Sequence, residues 1–267
     1  MTTGTLAQTR FTEKFVDADG FHIRYLEAGS GRPLVYLHSA GGLRPSRAHE
    51  LLAERFRVVA FEAPGFSGPL NARSESHAEI AATLMQAAAE LGLDRFSLWG
   101  TSFGSVVALW AAIGAPQRIE ALVLEGCGAI EPPGGLPAVR TPEELHQYLY
   151  AHPDRHPLAA PPPPEVLAQR RALLGRMRKV PREDVERELA TLDVPTLVVF
   201  GTRDRITPPE LGRVYRDKMP RCHFVLLFDA GHEAGSERPE ALASLIADFL
   251  ERREAFIVTE KSSLLHP

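Results

Sequence analysis

Short apolar runs alternate with helix-like segments along most of the chain, and this alternation restricts the possible folds more than any other feature. Six runs have the length and composition of buried strands: PLVYLH (33–38), RVVAFE (57–62), FSLWG (96–100), ALVLEG (121–126), TLVVFG (196–201) and HFVLLF (223–228). Helical patterns occur at 76–91, 102–115, 208–218 and 238–253. Strands that alternate with helices in this way form a mainly parallel sheet with helices on both faces.

Two further strands are predicted before these six. The segment EKFVDADGFHIRYLEAG (13–29) predicts a hairpin that turns at Asp19-Gly20. No internal repeat appears at the periods typical of solenoids. The expected fold class is therefore α/β, with a mostly parallel, eight-stranded sheet.

The alternation stops between residues 128 and 194. This stretch has no strand pattern and contains half of the chain's 22 prolines, while 141–151 and 165–190 have helical patterns. A connection of about 65 residues is far longer than a compact sheet needs, and loops of such length are usually functional. We therefore predict a helical cap over one end of an α/β core, the core being 1–127 and 195–267 and the cap 128–194.

Composition narrows the classes of partner. A net charge of −4 and a pI near 6.2 give no reason to expect nucleic acid or an anionic membrane, and no apolar run is long enough to predict a membrane span. The first residues lack the apolar centre of a signal peptide, so a cytoplasmic location is the default expectation. Cys127 and Cys222 show neither metal-site spacing nor a disulfide framework. We expect a small-molecule substrate and no metal or organic cofactor.

Ser102 lies at the junction of a predicted strand and a predicted helix. The residues Gly100 to Gly104 match G-x-S-x-G, the nucleophile elbow that exposes a serine hydroxyl at the carboxyl end of a sheet. Glycine on both sides suits a turn too tight for side chains. The alternative is that Ser102 only caps the helix. The strand before it and the apolar helix after it favour a nucleophile.

A serine hydroxyl needs a base at neutral pH, and His232 has a suitable position. It follows the last buried strand within AGHEAGSERPE, so we expect it at the same edge of the sheet as Ser102. Five other histidines are predicted to be surface or packing residues: His22, His77, His146, His152 and His156. The last three lie in the cap, and their spacing does not define a metal site.

Two carboxylates compete to orient this base. Asp204 lies three residues beyond Gly201, at the carboxyl end of the strand before that of His232, which matches the chain order serine, acid, histidine. Glu125 also lies at a carboxyl strand end. We favour Asp204 and keep Glu125 as the alternative acid.

The small residues of LHSAGG (37–42) follow the first long buried strand and allow backbone to approach the site closely. We predict that the amides of Ala40 and Phe103 form an oxyanion hole and that His38 braces the loop. Candidate apolar neighbours of the substrate are Phe66, Phe103 and Trp110, although Trp110 suits the core better.

With these residues in place, the chain resembles the α/β-hydrolase superfamily over nearly its whole length. The matching pieces are LHSAGG, FEAPGFSG (61–68), GTSFG, GTRDRITPP and AGHEAGSERPE. The resemblance implies a nucleophile, a general base and acid, an orienting acid and two oxyanion donors, which are Ser102, His232, Asp204, Ala40 and Phe103. The chain departs from the usual family pattern at Ser39, where glycine is common, and at Glu62, where aspartate is common.

The residues also discriminate among subfamilies. The dehalogenases and epoxide hydrolases of this fold resemble the chain, but they use an aspartate as nucleophile. Ser102 therefore argues against these two subfamilies. Hydrolases of carbon–carbon bonds in ring-cleavage products are similar, but they typically carry tryptophan where this chain has Glu233. The charged 165–190 segment is unlike the apolar lid of an interfacial lipase. Its basic residues form a solvated face, or one of them reaches a substrate carboxylate: Arg170, Arg171, Arg176, Arg178 and Lys179.

We therefore predict a serine hydrolase that cleaves a small ester, thioester or lactone through an acyl-enzyme, with the substrate pocket supplied by the cap. Two alternatives stay open. One is hydrolysis of a carbon–carbon bond in a dienoate-type ketone, and the other is a ligand-binding protein that turns over very slowly.

Overall fold

The structure, a computed structural model, describes residues 11–68, 70–253, 256 and 264–265; the N-terminal stretch 1–10 and most residues after 253 lie outside this range. Its centre is one sheet with the strand order β1-β2-β4-β3-β5-β6-β7-β8-β9. The strands are β1 (Thr12–Ala18), β2 (Phe21–Ala28), β3 (Pro33–Leu37), β4 (Arg57–Phe61), β5 (Phe96–Thr101), β6 (Ile119–Glu125), β7 (Thr196–Gly201), β8 (Cys222–Leu227) and β9 (Leu264–Leu265).

The eight predicted strands are β1 to β8. β1 and β2 form the predicted antiparallel hairpin, whose turn residues Asp19 and Gly20 have φ values of 49° and 73°. The strands from β3 to β8 are parallel to one another, and β2 joins them through antiparallel pairing with β4. The mostly parallel α/β sheet is thus confirmed. The short β9, antiparallel to β8, was not predicted.

Helices cover both faces of the sheet. The α-helices in the described ranges are α1 (Arg47–Ala53), α2 (His77–Glu90), α3 (Phe103–Gly114), α4 (Pro142–Leu149), α5 (Pro164–Arg176), α6 (Arg182–Thr191), α7 (Gly212–Lys218), α8 (Ala234–Glu237) and α9 (Pro239–Arg252). The helices predicted in the core correspond to α2, α3, α7 and α9, whereas α1 and α8 were not predicted. None of the helices in the described ranges is both long and apolar enough to cross a membrane.

The strands are apolar on both faces because a core lies on each side of the sheet. In β3, Val35 and Leu37 pack into the core that contains α2 and α3. Leu34 and Tyr36, which point the other way, pack into the core that contains α1 and α9. This two-sided burial explains why the strands appear in the sequence as continuous apolar runs.

Residues 128–194, called the insertion below, leave the sheet after β6 and return at β7. The prediction of one continuous helix over 165–190 was wrong, because the chain forms α5 and α6 with a break at 177–181. Pro181 has no N–H for an α-helical hydrogen bond and disfavours helical backbone in the residue before it. α6 is anchored by the buried side chains of Val185 and Leu189, whereas α4 has no buried residue.

The insertion contacts loops at the carboxyl ends of the strands. Arg170 of α5 donates from Nε to the carbonyl oxygen of Phe66, at 2.7 Å, and from Nη1 to that of Gly41, at 2.9 Å. On the other side, Arg205 donates to the carbonyl oxygen of Tyr150, at 2.8 Å. These bonds attach the insertion to the loops that follow β3, β4 and β7.

Candidate active site

Ser102 occupies a strained turn between β5 and α3. Its φ of 53° and ψ of −115° lie in a region that residues with a side chain rarely adopt, and such strain costs about 1–3 kcal/mol. Ser102 stands at the N-cap position, yet its side chain makes no capping hydrogen bond. Its hydroxyl lies 2.8 Å from Nε2 of His232 instead. Helix capping therefore does not account for the orientation of this side chain.

The two glycines around the elbow are required for different reasons. A Cβ atom on Gly100 would lie 2.2 Å from the carbonyl oxygen of Gly104, so the turn itself excludes a side chain there. A Cβ atom on Gly104 would lie 2.1 Å from the carbonyl oxygen of Leu37 and 2.5 Å from that of His38. The first turn of α3 is thus packed directly against the backbone at the end of β3.

The structure brings the three side chains predicted as a triad into one hydrogen-bonded row. His232, in the loop between β8 and α8, places Nδ1 2.8 Å from Oδ2 of Asp204 and Nε2 2.8 Å from Oγ of Ser102. In the neutral tautomer that fits this row, Nδ1–H donates to Asp204 and Nε2 accepts from the serine hydroxyl. Burial, the largest single influence, would lower the pKa of His232, but the charge and hydrogen bond of Asp204, together with the charges of two nearby glutamates, outweigh it and raise the pKa above its usual value.

Asp204 is held by the turn that follows β7. Its Oδ1 accepts the backbone N–H groups of Ile206 and Thr207, both at 2.9 Å, and its Oδ2 accepts the Thr207 hydroxyl at 2.9 Å. The Thr207 hydroxyl also lies 3.2 Å from Nδ1 of His232. Thr207 was missed from the sequence, although a threonine three residues after an aspartate is a spacing that permits such a turn.

Glu125, the alternative acid, is engaged elsewhere. At the end of β6, its Oε2 accepts the indole N–H of Trp99 at 3.1 Å and the hydroxyl of Thr101 at 2.8 Å. Its Oε1 accepts the backbone N–H of Gly235 at 3.1 Å. Burial raises the pKa of this carboxyl to about 7. The structure therefore places Asp204, and not Glu125, against Nδ1 of the imidazole.

His38 connects two loops beside the elbow. Its Nδ1 donates to the carbonyl oxygen of Ser39, at 2.7 Å, and its Nε2 accepts the backbone N–H of Ala63, at 3.0 Å. Burial lowers the pKa of His38 to about 4. The ring is therefore neutral at physiological pH, with one donor and one acceptor, both of which are used. The loop that carries Ala40 is fixed at its start by these bonds.

The two predicted oxyanion donors lie on adjacent segments. Phe103 is the first residue of α3, where an N–H has no partner within the helix, and Ala40 is exposed in the loop after β3. The contact of Gly104 with Leu37 joins these segments. The Phe103 ring lies 5.2 Å from that of Phe66, which is fully buried, and Trp110 is partly buried against the same core.

The other five histidines considered in the sequence have packing or surface contacts. His22 is exposed and pairs with Asp17 at 2.6 Å, while His77 opens α2 with its ring 5.3 Å from that of Phe103. Burial lowers the pKa of His77 to about 4. In the insertion, His146 and His156 both contact the ring of Tyr150, and His152 lies 2.8 Å from Asp229. Within the described residues, no group of three or more His, Cys, Asp or Glu side chains is placed to hold a metal ion.

Glu237, at the end of α8, was also missed, because nothing in the sequence distinguishes it from the glutamates that lie on the surface. Its Oε2 accepts the backbone N–H groups of Gly231, at 2.5 Å, and Ala151, at 3.1 Å. Its Oε1 accepts the N–H of His152 at 3.1 Å. One carboxylate, 2% exposed, thus binds both the insertion and the residue that precedes His232.

Of the five basic residues considered in the insertion, Arg170 reaches the loop that carries Ala40. Its guanidinium lies 5.4 Å from the Phe66 ring and against Gly42, where an added Cβ atom would come within 2.6 Å of Nη2. The other four do not point to this site. Arg171 is exposed, Arg176 binds Asn71, Arg178 binds Glu75 and Lys179 binds Glu131.

Comparison with known proteins gives consistent matches. The sequence model of the alpha/beta hydrolase family matches residues 34–245. The 2-hydroxy-6-oxononadienedioate/2-hydroxy-6-oxononatrienedioate hydrolase 2 of Pseudomonas putida is 30% identical over 86% of this chain and 91% of its own length. A similar 2-hydroxy-6-oxo-6-(2'-aminophenyl)hexa-2,4-dienoic acid hydrolase of Metapseudomonas resinovorans is 24% identical over 92% of this chain and 93% of its own.

Among solved structures, a bacterial membrane phospholipase A superposes with a TM-score of 0.76 at 27% identity, over 92% of this chain and 87% of that one. The 2-hydroxy-6-oxo-6-phenylhexa-2,4-dienoate hydrolase of Rhodococcus sp. strain RHA1 superposes with a TM-score of 0.75 at 20% identity, over 91% and 99% of the two chains, and shares the fold. From the matched residues, the sheet and these relatives, the chain belongs to the alpha/beta hydrolase family and to its serine-type hydrolases.

Proposed function

We propose that the protein hydrolyses a carbon–carbon bond next to a ketone in an unsaturated 2-hydroxy-6-oxo acid. The observation that carries the chemistry is the row from Ser102 through His232 to Asp204, with both contacts of the imidazole at 2.8 Å. The substrate class is supported by the 30% identical relative from Pseudomonas putida, whose name specifies such an acid. Such an acid has no ester bond between its ketone and its carboxylate. Hydrolysis between these two groups must therefore break a carbon–carbon bond.

In this proposal Ser102 Oγ attacks the ketone carbon while its proton passes to Nε2 of His232. Asp204 keeps the imidazole in the tautomer that accepts this proton and stabilises the cation that forms. The amides of Ala40 and Phe103 stabilise the oxyanion, and one donor of this kind contributes about 3 kcal/mol to transition-state stabilisation. Glu125 has no direct part in these transfers.

The carbon–carbon bond then breaks, and its electron pair passes to the unsaturated acid. For this pair to be delocalised, the 2-hydroxydiene of the substrate must first tautomerise: its enol oxygen loses a proton and the carbon beside the ketone gains one. Cleavage of the keto form then yields a dienolate conjugated with the 2-oxo group, which is an acceptable leaving group. The dienolate oxygen takes the proton held by His232. Water, deprotonated by the same imidazole, then attacks the acyl-enzyme and releases the second fragment as a carboxylic acid, which restores Ser102.

Arg170 supports an acidic substrate. Its guanidinium has five N–H groups, and its bonds to Phe66 and Gly41 use two of them. The group lies beside the loop that carries Ala40, so a carboxylate bound there would be held close to the oxyanion donors. We propose that the insertion acts as a cap and that Arg170 binds the substrate's carboxylate from it.

Ester hydrolysis is the second candidate. The phospholipase whose structure is 27% identical to this chain supports it. Glu233 supports it as well, because hydrolases of ring-cleavage products typically carry tryptophan at this position. An ester also uses the same serine, base and oxyanion donors, with an alcohol as leaving group.

The test compares an unsaturated 2-hydroxy-6-oxo acid with a neutral aryl ester of the same acyl group. Carbon–carbon cleavage predicts a higher kcat/KM for the acid, and Ser102→Ala should abolish both reactions. Arg170→Met should lower kcat/KM for the acid by about 100-fold more than for the ester, as loss of a charged hydrogen-bond partner typically does, because the lost bonds to Phe66 and Gly41 affect both reactions alike. Arg171→Met, at the exposed neighbouring position, is the matched control.

The outcomes separate the candidates. Rapid ester cleavage with no turnover of the acid would replace the first candidate by the second. A folded protein that cleaves neither substrate and is not labelled by a fluorophosphonate probe would contradict both, and would leave the slow-turnover binding protein.

A further inference from the structure

Glu125 contacts both of the segments that must meet at the site. Its backbone carbonyl oxygen accepts the N–H of Ser102 at 2.8 Å. Its side chain accepts from Thr101, immediately before Ser102, and from Trp99 in the same strand. The same side chain accepts from Gly235, three residues after His232. One buried residue therefore ties the serine turn to the segment that follows the histidine.

The chemistry of its partners selects the ionised carboxylate. The indole N–H of Trp99 and the backbone N–H of Gly235 can only donate, and they point at different oxygens of Glu125. The NH₂ group of a glutamine, at the position of either oxygen, would face one of these two donors and break its bond. A protonated carboxyl keeps acceptor capacity, but it must turn its O–H toward the Thr101 hydroxyl and reverse that bond. The ionised carboxylate accepts all three bonds as they stand, and an unsatisfied buried polar group is costly.

We propose that Glu125 is a positioning residue that, in its ionised form, holds Ser102 and His232 in the relative positions needed for proton transfer. It acts through Thr101 and Gly235 and does not itself touch the substrate. The proposal rests on the roles of Ser102 and His232 given above, but not on which bond the enzyme cleaves.

Several titratable groups surround this carboxylate. Tyr36 faces it from β3, and His232 and Glu233 face it from the loop before α8. His49 of α1 stacks on Trp99 at 4.4 Å and is neutral, because burial lowers its pKa to about 3. Burial raises the pKa of Glu125 to about 7, so the charge is present above neutrality and is lost as the pH falls. The positive shift of the His232 pKa includes a contribution from this charge.

The test measures the rate at which a fluorophosphonate probe labels Ser102 between pH 5 and 9. Glu125→Gln should slow labelling by about 10- to 100-fold at pH 8, the effect of one unsatisfied buried group. The ratio of the wild-type rate to the variant rate should shrink below pH 7, where the wild-type carboxyl becomes neutral. With an aryl ester, kcat should fall while KM changes by less than about threefold. Glu120→Gln, in the same strand but bonded to Arg253, is the matched control and should behave as wild type.

Two outcomes would overturn the proposal: equal labelling of wild type and Glu125→Gln at pH 8, or a ratio that stays constant from pH 5 to 9. If Glu125→Gln does not fold, Thr101→Val and Trp99→Phe take its place. Each removes one donor, so slower labelling in either supports the role, and unchanged labelling in both contradicts it. A wild-type protein that is not labelled at all would instead contradict the proposed function of Ser102.

Discussion

Gly104 lies so close to Leu37 that a Cβ atom added to the glycine would stand 2.1 Å from the leucine's carbonyl oxygen. The contact joins the helix that starts at the serine elbow to the strand that leads into the Ala40 loop. Both obstructing atoms, on Leu37 and His38, are backbone oxygens that cannot rotate away.

Gly104→Ala should therefore displace α3 from β3. Such overpacking typically costs about 1–3 kcal/mol, and a shift of about 1 Å between reacting groups reduces rates by about 100-fold. Thermal melting and ester hydrolysis measure the two effects. Gly114→Ala in the same helix, where a Cβ atom meets nothing within 4 Å, is the control. Equal behaviour of the two variants would contradict this interpretation of the contact.

The positive φ of Ser102 predicts an unusual order of stability among inactive variants. Glycine adopts φ = 53° freely, whereas alanine remains strained there. Ser102→Gly should be more stable than Ser102→Ala by about 1 kcal/mol, because relief of strain exceeds the added entropy of the unfolded glycine chain. Denaturant unfolding measures the difference. The opposite order would mean that the turn is not strained.

Asp204→Asn should lower kcat by about 1,000- to 10,000-fold, because an amide cannot stabilise the imidazolium and favours the wrong tautomer. The change should also move the pH profile. Since Asp204 raises the pKa of His232, its loss lowers that pKa, and the acidic limb of kcat/KM should shift to lower pH. Asp229→Asn, at an aspartate that pairs with His152 rather than His232, is the control. An unshifted acidic limb in Asp204→Asn would argue against the assigned pair.

His49 predicts a loss of stability in acid. Its Nδ1 accepts the Ser46 N–H at 2.9 Å, and burial lowers its pKa from 6.5 to about 3. The folded state therefore resists protonation that the unfolded chain accepts, so stability falls as the pH drops below about 6.5. At pH 4.5 this amounts to about 3 kcal/mol.

His49→Phe keeps a ring beside Tyr36 and Trp99 but removes the titration. Its free energy of unfolding should change less between pH 7 and pH 4.5 than that of the wild type, by about the same 3 kcal/mol. Tyr36→Phe, a variant of the same aromatic cluster with no group that titrates in this range, should keep the wild-type pH dependence. Parallel curves for wild type and His49→Phe would refute the assignment.

The central sheet was predictable because the order of strands and helices leaves few arrangements. Parallel strands place their carboxyl ends at one edge, so Ser102, Asp204 and His232 were expected together although 130 positions separate the first from the last. Glu125 shows the limit of that argument. Like Asp204, it lies at the carboxyl end of a parallel strand, and the sequence does not show which of the two carboxylates faces the imidazole.

Features that depend on side-chain contacts across distant segments were not predictable. Thr207 and Glu237 act through bonds to Asp204 and to the backbone of the insertion, and neither forms a pattern along the chain. The break at Pro181 could have been inferred from the proline alone. α1 is only seven residues long, too short for its apolar spacing to be distinguished from that of a loop.

The bonds of Glu237 mean that the insertion is not an independent module. A chimera that received this segment from a relative would keep the sheet. The buried carboxylate of Glu237, which also binds Gly231, would lose its two N–H donors in the insertion unless the new backbone followed the path of 151–152. Changing the substrate range by exchange of the whole segment would therefore also disturb His232, the base of the proposed mechanism. Library design should hold that path fixed and vary the side chains of α5 around Arg170.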